Sequence, residues 1–250
     1  MIARANLEKW RHYWRTFRFS LTHQVYLESV AEIITARIKR CFPAEKKPMV
    51  LDVGCGQGQL DIRLTEKTGW PIVAVDIVEE ALGVSRRLLE EKKLQGQVNL
   101  ILASVYQLPF PDSTFDIAVS TGSESAAAYY GATEEVSRVV ARGGHLFIDF
   151  TRMPNLYQPL RSIKSYFQYR KAMRKRDLGE TSKYFHYGKL GLRERFEREL
   201  GLKIRRIWRT NSAPPFGGVR GRLRFEKTLG RFLSPLLARS ILVEFSNMKK

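Results

Sequence analysis

Short apolar runs alternate with longer segments of helical periodicity through the middle of the chain. The apolar runs predict strands over 49–54, 71–77, 98–104, 115–122 and 145–150. The segments between them predict helices over 59–69, 78–96 and 132–144. Strands that alternate with helices predict a parallel sheet with right-handed crossovers and helices on both faces.

This alternation stops after residue 150. The segment 151–190 is long, basic and aromatic, and we predict that it is an inserted helical lid. Further along, the pattern predicts a helix over 190–200, a strand over 202–210 and a last strand over 240–247. The fold class is therefore predicted as α/β, with a doubly wound, mostly parallel sheet of seven strands. We predict an N-terminal helical region over 1–48 and one domain over 49–250, with an amphipathic segment over 211–239 before the last strand.

Two segments combine an apolar stripe at helical spacing with basic residues outside the stripe. The stripes consist of Trp10, Trp14, Phe17 and Leu21 near the N-terminus, and of Phe225, Leu229, Phe232 and Leu236 near the C-terminus. Basic amphipathic helices with aromatic anchors bind in the plane of anionic membranes. The alternative is that both stripes pack on the sheet or cover a bound cofactor.

Charge is unevenly distributed along the 250 residues. The net formal charge is +18, and residues 51–150 carry eight Lys/Arg against fourteen Asp/Glu, whereas residues 151–250 carry twenty-five against seven. The positive flanks predict an anionic partner, such as a membrane surface, a charged substrate or nucleic acid. The two cysteines form no metal-binding motif by spacing, so we expect no metal site. No apolar run is long enough to cross a membrane and no signal peptide is recognisable, so we expect a cytoplasmic protein that is either soluble or peripheral to the membrane.

The sequence VLDVGCGQG, residues 50–58, leads from the first predicted strand into a loop with a glycine at every second position. The spacing matches neither the dinucleotide fingerprint GxGxxG nor the phosphate-binding GxxxxGK[ST] loop. Two carboxylates accompany the glycines: Asp52 at the end of this strand and Asp76 at the end of the second, where it could accept hydrogen bonds from ribose hydroxyls. Such a set suits a nucleoside that has a cationic portion and no phosphate, and S-adenosylmethionine is such a compound. The structural alternatives are a tight turn for the glycines and helix capping for the acids.

With these motifs, the sequence resembles the class I S-adenosylmethionine-dependent methyltransferases, in particular the small-molecule and lipid-quinone group. The resemblance rests on VLDVGCGQG, on VAVDI at 73–77, on LASVYQLPFPDSTFDIAVS at 102–120 and on EEVSRVVARGGHLFIDF at 134–150. It implies a Rossmann-like fold that uses S-adenosyl-L-methionine. Arg142 stands where the family usually has proline, and Ser104 stands where it often has an acid that bonds the adenine.

The resemblance also implies which residues contact the cofactor. They are Asp52, Gly54, Cys55, Gly56, Gly58, Asp76, Ile77, Ser104, Val105, Ser120 and Thr121. The reaction it implies is an in-line displacement, to which the protein contributes alignment and exclusion of water. Weak catalytic candidates are Glu124, His186 and Tyr187, with His23 as a further acid/base candidate.

Three function classes are consistent with the sequence. The first is methylation of a small-molecule or lipid-like acceptor, with the enzyme working at a membrane surface. The second is methylation of RNA, with the basic flanks holding phosphates. The third is a non-catalytic binding protein that keeps the fold.

Overall fold

The computed structural model describes residues 4–17, 19–121, 131–151, 192–210, 212, 218–230, 232–233, 238 and 240–248. Six α-helices are described: α1 Arg4–Thr16, α2 Leu21–Ile38, α3 Gln59–Thr68, α4 Glu79–Glu91, α5 Ala132–Val139 and α6 Val219–Lys227. The strands are β1 Val50–Val53, β2 Ile72–Asp76, β3 Val98–Leu102, β4 Phe115–Ser120, β5 Val140–Thr151, β6 Leu202–Thr210 and β7 Ser240–Asn247. A π-helix, Arg193–Glu199, precedes β6. The predicted lid over 151–190 lies outside the described residues, except for Thr151, which ends β5.

The seven strands form one sheet in the order β3-β2-β1-β4-β5-β7-β6. The first five strands pair in parallel, and β7 lies antiparallel between β5 and β6. This sheet confirms the predicted fold class. Strand order reverses between β1 and β4, so the loops that follow these strands diverge and leave a crevice at the carboxyl edge, where open α/β sheets bind ligands.

Helices cover both faces of the sheet, so the central strands are largely apolar. All four residues of β1 are buried, as expected for a parallel strand covered on both faces. One core cluster lies beneath α5 and the π-helix and includes Val136 and Phe196. The other lies beneath α2 and α3 and includes Ile34 and Leu64. This rigid sheet fixes the position of the β1–α3 loop.

Two helices end earlier than predicted: the one predicted over 78–96 ends at Glu91, and the other precedes β5. The helix predicted over 132–144 ends at Val139, and β5 begins at Val140, five residues before the predicted strand. Two glycines permit this early start: Gly143 has φ +81, and a Cβ on Gly144 would lie 2.8 Å from the Asp116 carbonyl oxygen. Helix α6, Val219–Lys227, lies within the predicted amphipathic segment 211–239.

Candidate functional site

Three glycines give the β1–α3 loop its shape. Gly54, Gly56 and Gly58 all have positive φ, at 76°, 56° and 70°. Residues with a Cβ seldom adopt this left-handed region, which explains the glycine at every second position. The same three residues were predicted to contact the cofactor, and the structure places them together at the carboxyl edge of β1.

The backbone N–H groups of this loop are largely used within the protein. Those of Gly54 and Cys55 donate to the Val75 carbonyl, at 2.8 and 3.1 Å, and that of Gly58 donates to the Cys55 carbonyl at 3.0 Å. The Gly56 N–H donates to Asp76 Oδ2 at 2.8 Å. A phosphate site needs a fan of free N–H groups. The loop therefore does not fit a phosphate, in agreement with the missing dinucleotide and P-loop motifs.

Asp76 ends β2 beside this loop and is buried. Besides the bond from Gly56, its Oδ1 accepts the Val78 N–H at 2.9 Å. Burial raises the pKa of Asp76, and the bonds from Val78, Gly56 and Ile77 partly oppose that rise. Each carboxylate oxygen has a second lone pair that can accept a hydroxyl. The geometry is compatible with the predicted bonds to ribose, for which Asp76 and Ile77 remain candidates.

Two more carboxyl groups lie under the loop. Asp52, in β1, is 2% exposed, and Asp61, in the first turn of α3, is fully buried. Burial and the neighbouring Asp61 and Asp76 raise the pKa of Asp52 well above its usual range. Burial also raises the pKa of the Cys55 thiol, as do the three carboxyl groups, so Cys55 is a neutral thiol. Together these carboxyl groups make the surroundings of the loop better suited to a cationic ligand than to an anionic one.

Asp61 was not among the predicted site residues. The sequence contains a signal for it, because Asp61 stands between Leu60 and Ile62 on a helix whose first turn is buried. Acidic side chains are seldom fully buried, and those that are often belong to a functional site.

The predicted adenine side of the site begins at Ser104. Its hydroxyl accepts the Tyr106 N–H at 3.2 Å, and its carbonyl accepts the Gln107 N–H at 3.0 Å, so Ser104 forms a turn that also contains Val105. The predicted contact between Ser104 and the adenine stays a prediction.

A clamp that the sequence analysis did not find fixes the segment after this turn. Glu135 Oε1 accepts the Leu108 N–H at 2.8 Å. Arg138 donates to the carbonyls of Leu108 and Phe110, at 3.2 and 2.9 Å, and to Glu135 Oε1 at 2.7 Å. Glu135 and Arg138 belong to the E-x-x-R part of one matching motif, and the Leu-Pro-Phe segment belongs to another. The structure shows that these two motifs bind each other.

Ser120 and Thr121 lie at the carboxyl end of β4, across the crevice from the glycine loop. Ser120 is buried and its hydroxyl donates to the Val53 carbonyl at 2.9 Å, which ties β4 to β1 just before the loop. Thr121 is half-buried. Both remain candidates for cofactor contact on the strength of their position.

Of the acid/base candidates, Glu124, His186 and Tyr187 lie outside the described residues. His23 is described, and its Nδ1 lies 2.7 Å from the hydroxyl of Ser20, which caps α2. Its ring packs against Phe17 and Phe19, and burial lowers its pKa. These contacts show that His23 packs against the turn between α1 and α2.

Helix α1 lies over the glycine loop. A Cβ on Gly56 would overlap the indole of Trp14, so the two are in close contact. Arg15 holds the helix in place by bonding Glu80 Oε1 at 3.0 Å, at the N-terminus of α4, and Arg11 lies 3.7 Å from Glu80 Oε2. The N-terminal stripe was predicted either to bind a membrane or to pack on the fold and cover the cofactor. For Trp14 the structure favours packing, because this side chain covers the glycine loop.

One group of potential metal ligands occurs among the described residues, although sequence spacing showed none. Cys41, His145 and Glu244 place ligand atoms within 4.8 Å of one another. However, Glu244 already accepts two bonds from Arg37 Nε, at 2.8 and 3.0 Å, and its Oε1 lies 2.8 Å from His145 Nδ1. Burial raises the pKa of the Cys41 thiol and so opposes the thiolate that a metal needs. The group is better described as a buried ion-pair network than as a metal centre.

Comparison with known proteins agrees with this geometry. Residues 51–148 match the methyltransferase domain family. A demethylmenaquinone methyltransferase from Listeria welshimeri is 32% identical over 128 residues, which are 50% of this chain and 54% of the relative. One from Bacillus cereus is 32% identical over 138 residues, 54% of this chain and 56% of the relative. The chain thus matches about half the length of these curated relatives.

The fold is also found among solved structures. Geranyl diphosphate C-methyltransferase from Streptomyces coelicolor, solved with Mg²⁺, geranyl diphosphate and S-adenosyl-L-homocysteine, aligns with a TM-score of 0.62 at 12% identity, covering 99% of each chain. The glycine loop has no free phosphate cradle and instead has buried carboxyl groups, which suits a cofactor with a sulfonium and an ammonium group. Residues 51–148 are therefore similar to the methyltransferase domain family, and the sheet and loop that they form suit S-adenosylmethionine as the cofactor.

Proposed function

We propose that this protein transfers a methyl group from S-adenosylmethionine to a small, lipid-like acceptor of the quinone class at an anionic membrane surface. The observation that carries the acceptor class is the similarity of about half of the chain to demethylmenaquinone methyltransferases. RNA methylation is less well supported, since the matched relatives and the aligned structure above act on small molecules by their names.

The chain's own residues divide the work of such a reaction. Bound S-adenosylmethionine supplies a methyl group on a good leaving group, so the protein needs to align the acceptor and exclude water. Asp76 and the glycine loop would hold the nucleoside part, and the carboxyl groups beneath the loop favour the cationic part. Trp14 closes the loop from above and removes solvent from its side of the site.

The acceptor class is tested with methyl-labelled S-adenosylmethionine in an extract of the source cells, divided into organic, RNA and protein fractions. We expect label in the organic fraction, and at least a tenfold loss of label with Asp76→Ala, because two backbone N–H groups and the ribose would lose their acceptor. Glu45→Ala, which changes an exposed carboxylate, is the matched control and should label as the wild type does. Label that appears in RNA instead would overturn the proposal.

The proposed membrane surface lies where α6 ends. Leu229, Phe232 and Leu233 are 60%, 83% and 40% exposed, and Arg220 and Arg224 are exposed on α6 beside them. On its other face α6 is held to α2, because Arg222 donates to the Thr22 hydroxyl at 2.8 Å and Lys227 to Glu32 at 2.9 Å. Exposed apolar side chains with basic residues beside them are typical of a segment that inserts into the interface of an anionic membrane. We call Leu229, Phe232 and Leu233 the apolar tip. None of the described helices is long and apolar enough to cross a bilayer.

We expect Phe232→Ser to weaken partitioning onto vesicles of mixed phosphatidylglycerol and phosphatidylcholine by about tenfold, since a buried Phe side chain contributes about 1.5 kcal/mol or more. Sedimentation with sucrose-loaded vesicles measures the effect. Met248→Ser, at a side chain that is 45% exposed elsewhere on the surface, is the control. If both variants sediment like the wild type, this tip does not bind the membrane.

A further inference from the structure

Helix α1 stands apart from the layers that form the hydrophobic core. Among the α1 side chains that the structure describes, none is fully buried and none belongs to either core cluster. By contrast, α2 buries Val30, Ala31 and Ile38 completely. Segments with few buried apolar contacts open at a lower free energy than the core does. Helix α1 can therefore leave the surface while α2 and the sheet stay folded.

The two helices end and begin independently of each other. The Phe17 N–H donates to the Tyr13 carbonyl at 2.8 Å, at the end of α1. The Ser20 hydroxyl accepts the His23 N–H at 3.4 Å, at the start of α2. Ser20 itself has extended backbone, with φ −80° and ψ 162°, so no helix runs through it. A rotation at Ser20 can swing α1 without unwinding either helix.

One contact holds α1 to the glycine loop. The Trp14 indole lies so close to Gly56 that a Cβ there would be 2.3 Å from Trp14 Cη2. Gly56 also donates its N–H to Asp76, so the indole covers the residue that joins the two loops of the proposed cofactor site. The rings of Tyr13 and Phe17 pack edge-to-face on Trp14, with centroids at 5.0 and 5.2 Å, and support the indole in this orientation.

The other contact is an ion-pair latch at Glu80, in the first turn of α4. Glu80 Oε1 accepts a bond from Arg15 at 3.0 Å, and Oε2 lies 3.7 Å from Arg11 Nε. The N–H of Glu80 itself, at the start of α4, lowers the pKa of its carboxyl group, and the two arginines lower it further. The latch is therefore charged at neutral pH. It lies four residues after Asp76, so α1 spans the loops after β1 and β2.

We propose that α1 is a hinged cover that swings at Ser20 to let S-adenosylmethionine in and its product out, with Glu80 as the latch that sets how often it opens. This inference rests on the proposed function, because it takes the glycine loop and Asp76 as the cofactor site. The latch closes whether the site is empty or filled. Weakening it should therefore speed entry and exit equally and leave the affinity unchanged, whereas a residue that contacts the cofactor would change the affinity.

The variant Glu80→Gln tests the latch. We expect it to raise the rates of S-adenosylmethionine binding and S-adenosylhomocysteine release by about fivefold each, the effect of two exposed ion pairs, with an unchanged Kd. Stopped-flow tryptophan fluorescence measures the rates, and calorimetry measures Kd. Glu79→Gln is the matched control, because Glu79 is an exposed acid in the same turn and makes no ion pair with the described part of the chain. Wild-type rates in Glu80→Gln, or a faster exit without a faster entry, would overturn the proposal.

A double-mutant cycle shows whether Glu80 acts through α1. Arg15→Gln should speed exchange in the wild type and should have little further effect in Glu80→Gln, since its partner is already lost. Raising the ionic strength should likewise speed exchange in the wild type more than in Glu80→Gln, because salt screens exposed pairs. Effects of the two substitutions that simply add would contradict the latch.

Hydrogen exchange in the cofactor-free protein tests the hinge without any ligand. We expect the amides of α1 to exchange faster than those of α2, and about fivefold faster again in Glu80→Gln, with α2 unchanged. Equal protection of α1 and α2 would show that the two helices open together and would overturn the proposal. Failure to bind S-adenosylmethionine would instead count against the proposed function, because the exchange of α1 is measured with no ligand present.

Discussion

Gly56→Ala is expected to lower the affinity for S-adenosylmethionine by at least thirtyfold, or about 2 kcal/mol. Two effects add. The φ of Gly56 is +56°, where an alanine costs roughly 1–2 kcal/mol. In addition, the new Cβ would overlap the Trp14 indole and push α1 away from the loop that it covers. Isothermal titration calorimetry with S-adenosylmethionine measures the loss.

Two companion variants separate these effects. Gly96→Ala is the matched control, because a Cβ at Gly96 meets no atom within 4 Å, and it should bind as the wild type does. The double variant Trp14→Ala/Gly56→Ala removes the overlap and leaves the backbone strain. It should recover part of the affinity relative to Gly56→Ala. An affinity of Gly56→Ala within a factor of two of the wild type would show that this loop does not hold the cofactor.

Glu244→Gln is expected to cost about 3 kcal/mol of unfolding free energy, because it breaks a buried pair and leaves its partners uncompensated. Glu244 is fully buried, whereas the Arg37 side chain is 21% exposed and can recover some hydration, which places the cost at the lower end of the usual range. Thermal unfolding at pH 7 should show a Tm lower by roughly 6–12 °C.

The pH dependence gives this prediction a second readout. Burial alone would raise the pKa of Glu244, but its bonds to His145 and Arg37 outweigh burial and lower it. A lowered pKa means that the stabilisation is present above the usual glutamate range and is lost as the pH falls through the folded-state value. The difference between wild type and Glu244→Gln should therefore shrink in acid.

Two further variants define what is lost. Glu66→Gln, which breaks the exposed pair with Lys92, should change the Tm little. Arg37→Met/Glu244→Leu removes both charges and should be more stable than Glu244→Gln. A Glu244→Gln protein as stable as the wild type at pH 7 would show that the network contributes nothing.

The sequence was sufficient for features that depend on local pattern. The apolar runs predicted all seven described strands, and the largest error is five residues, at the start of β5. Such runs are informative because a strand buried on both faces must be largely apolar. The alternation of glycines predicted the loop for a similar reason, since each positive φ excludes most other residues. These patterns involve neighbours in the chain.

The features that were missed depend on contacts between distant residues. Trp14 was placed correctly in an apolar stripe, but periodicity does not indicate that it packs on Gly56. Cys41, His145 and Glu244 meet only because β5 pairs with β7 and α2 covers that face of the sheet. Asp61 is close to Asp52 in sequence, yet its burial depends on how α3 returns over β1.

The position of β7 has a consequence for synthesis on the ribosome. Because β7 lies between β5 and β6, β6 cannot join the sheet until residues 240–247 have been made. Until then the edge of β5 is unpaired, which exposes it to aggregation or to chaperones. Arg37 also lacks its partner until Glu244 has been made, so the nascent chain carries an uncompensated guanidinium that β7 neutralises.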